Sequence, residues 1–100
     1  MSRAKDKILN KEIGKKIRQA RNVKPLVTQT KLGKAIGVTF QQVQKYESGH
    51  NGLSSIKLLE VCNFFNKPLE YFTSDATELL EKVRPTDNSS VKVTESLENV

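Results

Sequence analysis

The sequence predicts an all-α fold. Apolar residues recur at helical spacing from Glu12 to Phe72. Cap-forming residues stand before most of these runs, and Gly or Pro follows them. No segment has the alternation or β-branched density of a strand; Val91 to Thr94 comes nearest.

The elements follow in order. Met1 to Asn10 has little periodicity and reads as a flexible basic arm. From Glu12 the pattern is helical: Ile13, Ile17 and Ala20 share a face, with Lys15, Lys16 and Arg18 between them. That run ends near Asn22, and Pro25 confirms the break. Thr28 caps a short second helix with an apolar stripe of Leu32, Ala35 and Ile36, and Gly37 stops it in the left-handed conformation. Thr39 caps the third helix, and Gln42 three places on gives the Thr-x-x-Gln form of a capping box. Ser48-Gly49-His50-Asn51-Gly52 is turn chemistry. Ser54 caps a fourth helix whose inner face holds Ile56, Leu58, Leu59, Cys62 and Phe65. Asn66-Lys67-Pro68 breaks the chain again, and Pro68 suits the first turn of a short helix carrying Leu69, Tyr71 and Phe72. The domain is thus expected over residues 11–73. Residues 74–100 read as an acidic, polar tail, with a short helix at 76–83 ended by Pro85 and disorder beyond.

At 100 residues and 36% hydrophobic content the chain holds one small core. No apolar run approaches the ~20 residues that span a bilayer, and the first ten residues lack the apolar stretch of a signal peptide. The single cysteine, Cys62, has no internal disulfide partner, and His50 beside it makes no zinc ligand set. The expectation is a cytoplasmic setting with no metal or cofactor. The net charge of +6 is uneven: residues 1–50 carry +9 and residues 51–100 carry −3. Such asymmetry fits a face aimed at a polyanion as well as plain solubility.

The informative segment is residues 28–48, two short helices joined by a tight turn. With Phe40 at the origin and about 100° per residue, Gln44 falls at about 40°, Gln41 at about 100° and Lys45 at about 140°. Val43 and Tyr46 fall on the opposite side and are expected in the core. Two amides and an ammonium on one exposed face suit the major groove: glutamine can bond adenine N6 and N7, and lysine guanine or phosphate. Read alone, such a strip is more often an ordinary polar face, because most exposed glutamines read nothing.

The run Thr28-Gln29-Thr30-Lys31-Leu32-Gly33-Lys34-Ala35-Ile36-Gly37-Val38-Thr39-Phe40-Gln41-Gln42-Val43-Gln44-Lys45-Tyr46-Glu47-Ser48-Gly49 resembles the lambda-repressor-like helix-turn-helix family, and the resemblance extends from about Ile13 to Phe72. It implies a compact bundle of five helices with the third in the major groove of double-stranded DNA. It assigns base contact to Phe40, Gln41 and Lys45, with Gln44 a further candidate. It implies phosphate contact by Gln29 at the start of the second helix, and by the loop Gly49 to Ser54 through His50, Asn51, Ser54 and backbone amides. The caps Thr28 and Thr39 join that expected phosphate set. Glu47 matches an acid paired with an arginine of the first helix, Arg21 first and Arg18 as fallback. Gly33 stands where Ala is usual, and Gly37 is the turn glycine. The connection Asn22 to Val27 is about one residue longer than usual, and Gly52 replaces a common basic residue.

Several features keep two roles. Phe40 can touch a thymine methyl or pack at the edge of the second helix. Lys5, Lys7 and Lys11 can draw the arm to DNA or simply be solvated. His50 can make phosphate binding pH-dependent or do nothing of the kind. Cys62 reads as core packing. Leu69, Tyr71 and Phe72 close the core and leave material for a dimer seam. The expected function is therefore a sequence-specific, repressor-like transcriptional regulator, a homodimer on a palindromic operator. Alternatives are an antitoxin whose 73–100 segment folds on a protein partner, and an interaction module without DNA binding. One His, one Cys and no clustered carboxylates leave few groups for catalysis, so an enzyme is not expected.

Overall fold

Helix boundaries are set by local chemistry that the structure displays bond by bond. In the computed structural model, which describes residues 3–23 and 25–83, five helices follow one another: α1 Arg3–Arg21, α2 Gln29–Ile36, α3 Phe40–Ser48, α4 Ser55–Phe65 and α5 Leu69–Val83. Thr28 Oγ1 accepts from the Lys31 amide at 3.0 Å, Thr39 Oγ1 from Gln42 at 3.1 Å and Ser54 Oγ from Lys57 at 3.1 Å. Each satisfies one orphan amide of a first turn. Gly37 and Gly49 end α2 and α3 in the left-handed region, at φ 77° and 81°. Asn66 does the same for α4 at φ 55°, a conformation asparagine tolerates.

α1 packs against α5 and α3, α2 against α3 and α4, and α4 against α5. Their shared core is Ile17, Leu32, Ile36, Val43, Val61 and Phe72, with Ala20, Tyr46 and Cys62 at its edge. Burial pushes the Cys62 thiol up from its ordinary pKa, so it stays a protonated core side chain.

The structure departs from the sequence expectations in four places. Residues 3–10, expected as a flexible basic arm, are the first turns of α1. Leu9 and Ile13 line a hollow with Thr73, Ala76, Thr77 and Leu80 of α5; that packing stabilises turns whose own periodicity is weak. Asp6 in the first turn adds a favourable charge at the positive end of the helix. Second, the expected short last helix and the separate stretch at 76–83 are one helix, Leu69–Val83, with Ala76 buried against the bundle. Helices α1 and α5 therefore run past residues 11 and 73; residues 84–100, where disorder is expected, lie outside the described residues. Third, the buried stripe of α4 is not the one expected: Ile56 is 68% and Leu59 55% exposed, whereas Val61 is fully buried. The working stripe is Leu58, Val61, Cys62 and Phe65, spaced i, i+3, i+4, i+7. Fourth, Ala35 is exposed and Gly33 is buried.

Candidate nucleic-acid interface

The turn between α2 and α3 is only Gly37-Val38-Thr39. The amides of Gly37 and Val38 both donate to the Gly33 carbonyl, which satisfies the end of α2 while reversing the chain. The helices are close enough that a Cβ on Gly33 would sit 2.6 Å from the Val38 carbonyl oxygen. Lys57 donates its ammonium to the Ile36 carbonyl, adding a cation at the negative end of α2.

α3 buries Val43 and Tyr46 and turns Gln41, Gln44 and Lys45 to solvent. Phe40 stands 43% exposed at its first turn. Gln42 is half-buried, with its backbone amide on Thr39. Gln44, Lys45, Ser48 and His50 line one shallow hollow at the far end of the helix.

Glu47 is the one buried charged residue among the described residues. Arg21 grips it with two bonds, Nε to Oε2 at 2.6 Å and Nη2 to Oε1 at 3.1 Å. Gln29 Nε2 donates to the same Oε1 at 3.0 Å, and Arg18 Nε lies 3.6 Å away. A two-pronged guanidinium contact is the geometry in which an arginine holds a carboxylate most firmly. Arg21 Nη1 also donates to the Val27 carbonyl at 2.9 Å, and the Val27 amide returns a bond to the Arg21 carbonyl at 2.9 Å. The long α1–α2 connection is thereby laced to the residue that fixes α3. Both Arg21 and its fallback Arg18 face Glu47, so the longer connection does not displace the pair.

The expected phosphate set is divided. Gln29 spends one amide hydrogen on Glu47 and keeps a second. The hydroxyls of Thr28, Thr39 and Ser54 accept in their caps and each retains a hydrogen to donate. The His50 side chain is exposed and Asn51 is half-buried. The amides of Gly49, His50 and Asn51, however, are turned inward, onto the Tyr46 carbonyl, Ser48 Oγ and the Lys45 carbonyl. The expectation that this loop offers backbone amides to an anion is corrected for those three positions; the turn consumes them itself.

Gly14 escaped the sequence reading. A Cβ there would lie 2.7 Å from the Glu47 carbonyl oxygen and closer still to that of Tyr46. A lone glycine inside a helical run was its signal, because it marks close backbone approach. Lys57 left no such signal, since it acts across elements.

The helix-turn-helix family matches residues 17–72, more than half of the chain. An uncharacterized HTH-type transcriptional regulator of Sinorhizobium fredii is 38% identical over 89 residues, covering 89% of this chain and 59% of its own length. An uncharacterized transcriptional regulator in the ATPase CF(0) region of Rhodospirillum rubrum is 41% identical over 63 residues, 63% of this chain and 57% of the relative. An uncharacterized HTH-type transcriptional regulator of Rhizobium meliloti is 39% identical over 64 residues, 64% and 45% respectively. The chain thus spans about half the length of the curated relatives it matches. With α2, its three-residue turn, α3 and the Arg21–Glu47 clasp in place, this chain belongs to the helix-turn-helix family, of the lambda-repressor-like type.

Proposed function

We propose that the chain binds double-stranded DNA sequence-specifically and regulates transcription, with α3 in the major groove. The observation that supports this best is the outward face of Gln41, Gln44 and Lys45 on a helix whose base is clasped through Glu47. Gln41 and Gln44 suit adenine edges, Lys45 suits guanine or phosphate, and Phe40 offers its open ring to a thymine methyl. Gln29, His50, Asn51 and the hydroxyls of Thr28, Thr39 and Ser54 are our candidates for phosphate contact, which sets register without reading sequence. Such a regulator would act in the cytoplasm, where it meets DNA.

The finer reading is a repressor-like homodimer on a palindromic operator. Its support is exposed apolar material on α4 and α5: Ile56 and Leu59 share a face of α4, and Leu69 is 42% exposed at the start of α5. Two-fold pairing there would space two recognition helices about one DNA turn apart. Selection from random duplex DNA at two salt concentrations tests the proposal. A palindrome with half-sites about one turn apart supports it. Binding without sequence preference that vanishes at moderate salt overturns it.

A further inference from the structure

The N-terminal half of α1 lies outside the family match, which begins at residue 17. Its placement is fixed by close approaches of the backbone. A Cβ on Gly49 would fall 2.7 Å from the Lys11 Cα and 2.9 Å from its Cβ; one on Gly52 would fall 2.7 Å from Asn10 Oδ1. Asn10, Lys11 and Gly14 therefore run alongside the exit of α3 and the loop after it. Lys7 continues this face, three residues before Asn10 and four before Lys11.

Lys7 and Lys11 are both exposed. Neither has an ion-pair partner among the described residues, whereas Lys15 meets Glu12 and Lys16 meets Asp75, each at 3.5 Å. Like charges four apart on a helix repel and weaken it slightly. Two such ammonium groups, carried on a helix whose backbone packs beside that loop, are placed to meet a row of negative charges that the protein itself does not supply.

We propose that Lys7 and Lys11 form a phosphate-contacting ridge that extends the DNA footprint past the loop 49–52, on the backbone and away from the bases. This rests on the DNA-binding reading above. The ridge adds affinity without sequence information, and its signature is salt dependence.

The test compares the full chain with the Lys7→Gln, Lys11→Gln double variant, titrating the selected duplex over a salt series. The slope of log affinity against log salt should fall by about 0.9 for each phosphate that is no longer neutralised. For two phosphates, the affinity deficit shrinks about twelvefold as salt rises from about 50 to about 200 mM. Base preference should not change. The Lys7→Arg, Lys11→Arg variant should keep the parent slope, and unchanged helical circular dichroism shows that each variant folds. An unchanged slope in the glutamine variant overturns the ridge alone, as does an altered base preference. No duplex binding by the parent chain overturns the ridge together with the DNA-binding reading.

Discussion

Gln41 and Arg21 act on the same helix by different physics. Gln41 is exposed and the fold does not depend on its side chain, so Gln41→Ala should leave the melting temperature unchanged. It should weaken operator binding by about 1–3 kcal/mol and relax preference at one base pair. Titrations against a panel of single-base operator variants check this; a uniform loss across all sequences would contradict a base-reading role. Arg21→Ala is the reverse case. It leaves the Glu47 carboxylate buried with Gln29 and the more distant Arg18, and stranding one member of a buried pair costs about 3–5 kcal/mol. Urea denaturation should show a loss near the lower end, because Gln29 stays. Glu47→Gln in the Arg21→Ala background should recover part of it by removing the stranded charge.

At the scale of elements, the decisive packing is α1 on the end of α3. Gly14→Ala would drive a methyl into the carbonyls of Tyr46 and Glu47. The backbone must then separate, and overpacking of this kind costs about 1–3 kcal/mol, more than the ~1 kcal/mol by which alanine outranks glycine in a helix. Thermal denaturation should therefore show a lower midpoint despite the better helix former. What was legible in the sequence was largely local. Thr28, Thr39 and Ser54 cap within three residues of themselves, Gly37 ends its own helix, and Val43 and Tyr46 follow from a simple rotation of about 100° per residue. The Arg21–Glu47 pairing came from the family resemblance, not from spacing. What escaped was tertiary. The first turns of α1 show weak periodicity on their own and gain burial from α5, more than sixty positions on in the chain, and from the loop after α3. In α4, seven of eleven residues are apolar, so more than one stripe fits the pattern, and only the neighbouring helices select Leu58, Val61, Cys62 and Phe65.

For the whole molecule, the exposed apolar surface bears on assembly. If Ile56, Leu59 and Leu69 form the seam of a dimer, charged substitutions at two of them should separate the protomers without unfolding either. Ile56→Asp with Leu59→Asp should run as a monomer in sedimentation equilibrium, at concentrations where the parent chain is dimeric. Its affinity for a single half-site should match that of the parent, while its affinity for the full operator should fall by an order of magnitude or more, because two linked sites bind far more tightly than one. A variant that stays dimeric would place the seam elsewhere. The antitoxin reading draws on residues 73–100, and of these the structure describes only 73–83, as the end of α5.

The reciprocal bonds between Arg21 and Val27 have a consequence for motion. By position, Val27 belongs to a surface connection, where amides ordinarily exchange with solvent almost freely. Its N–H is bound to the Arg21 carbonyl, and its own carbonyl to the same residue's guanidinium. The same guanidinium holds Glu47 through its other two nitrogens. We expect the connection and the clasp to open together. In hydrogen exchange Val27 should be as slow as Ile17 or Val43, and Arg21→Ala should quicken it far more than it quickens the helices. The connection would then behave thermodynamically as a sixth piece of the core, one that joins the protection of the reading helix to that of the loop before it.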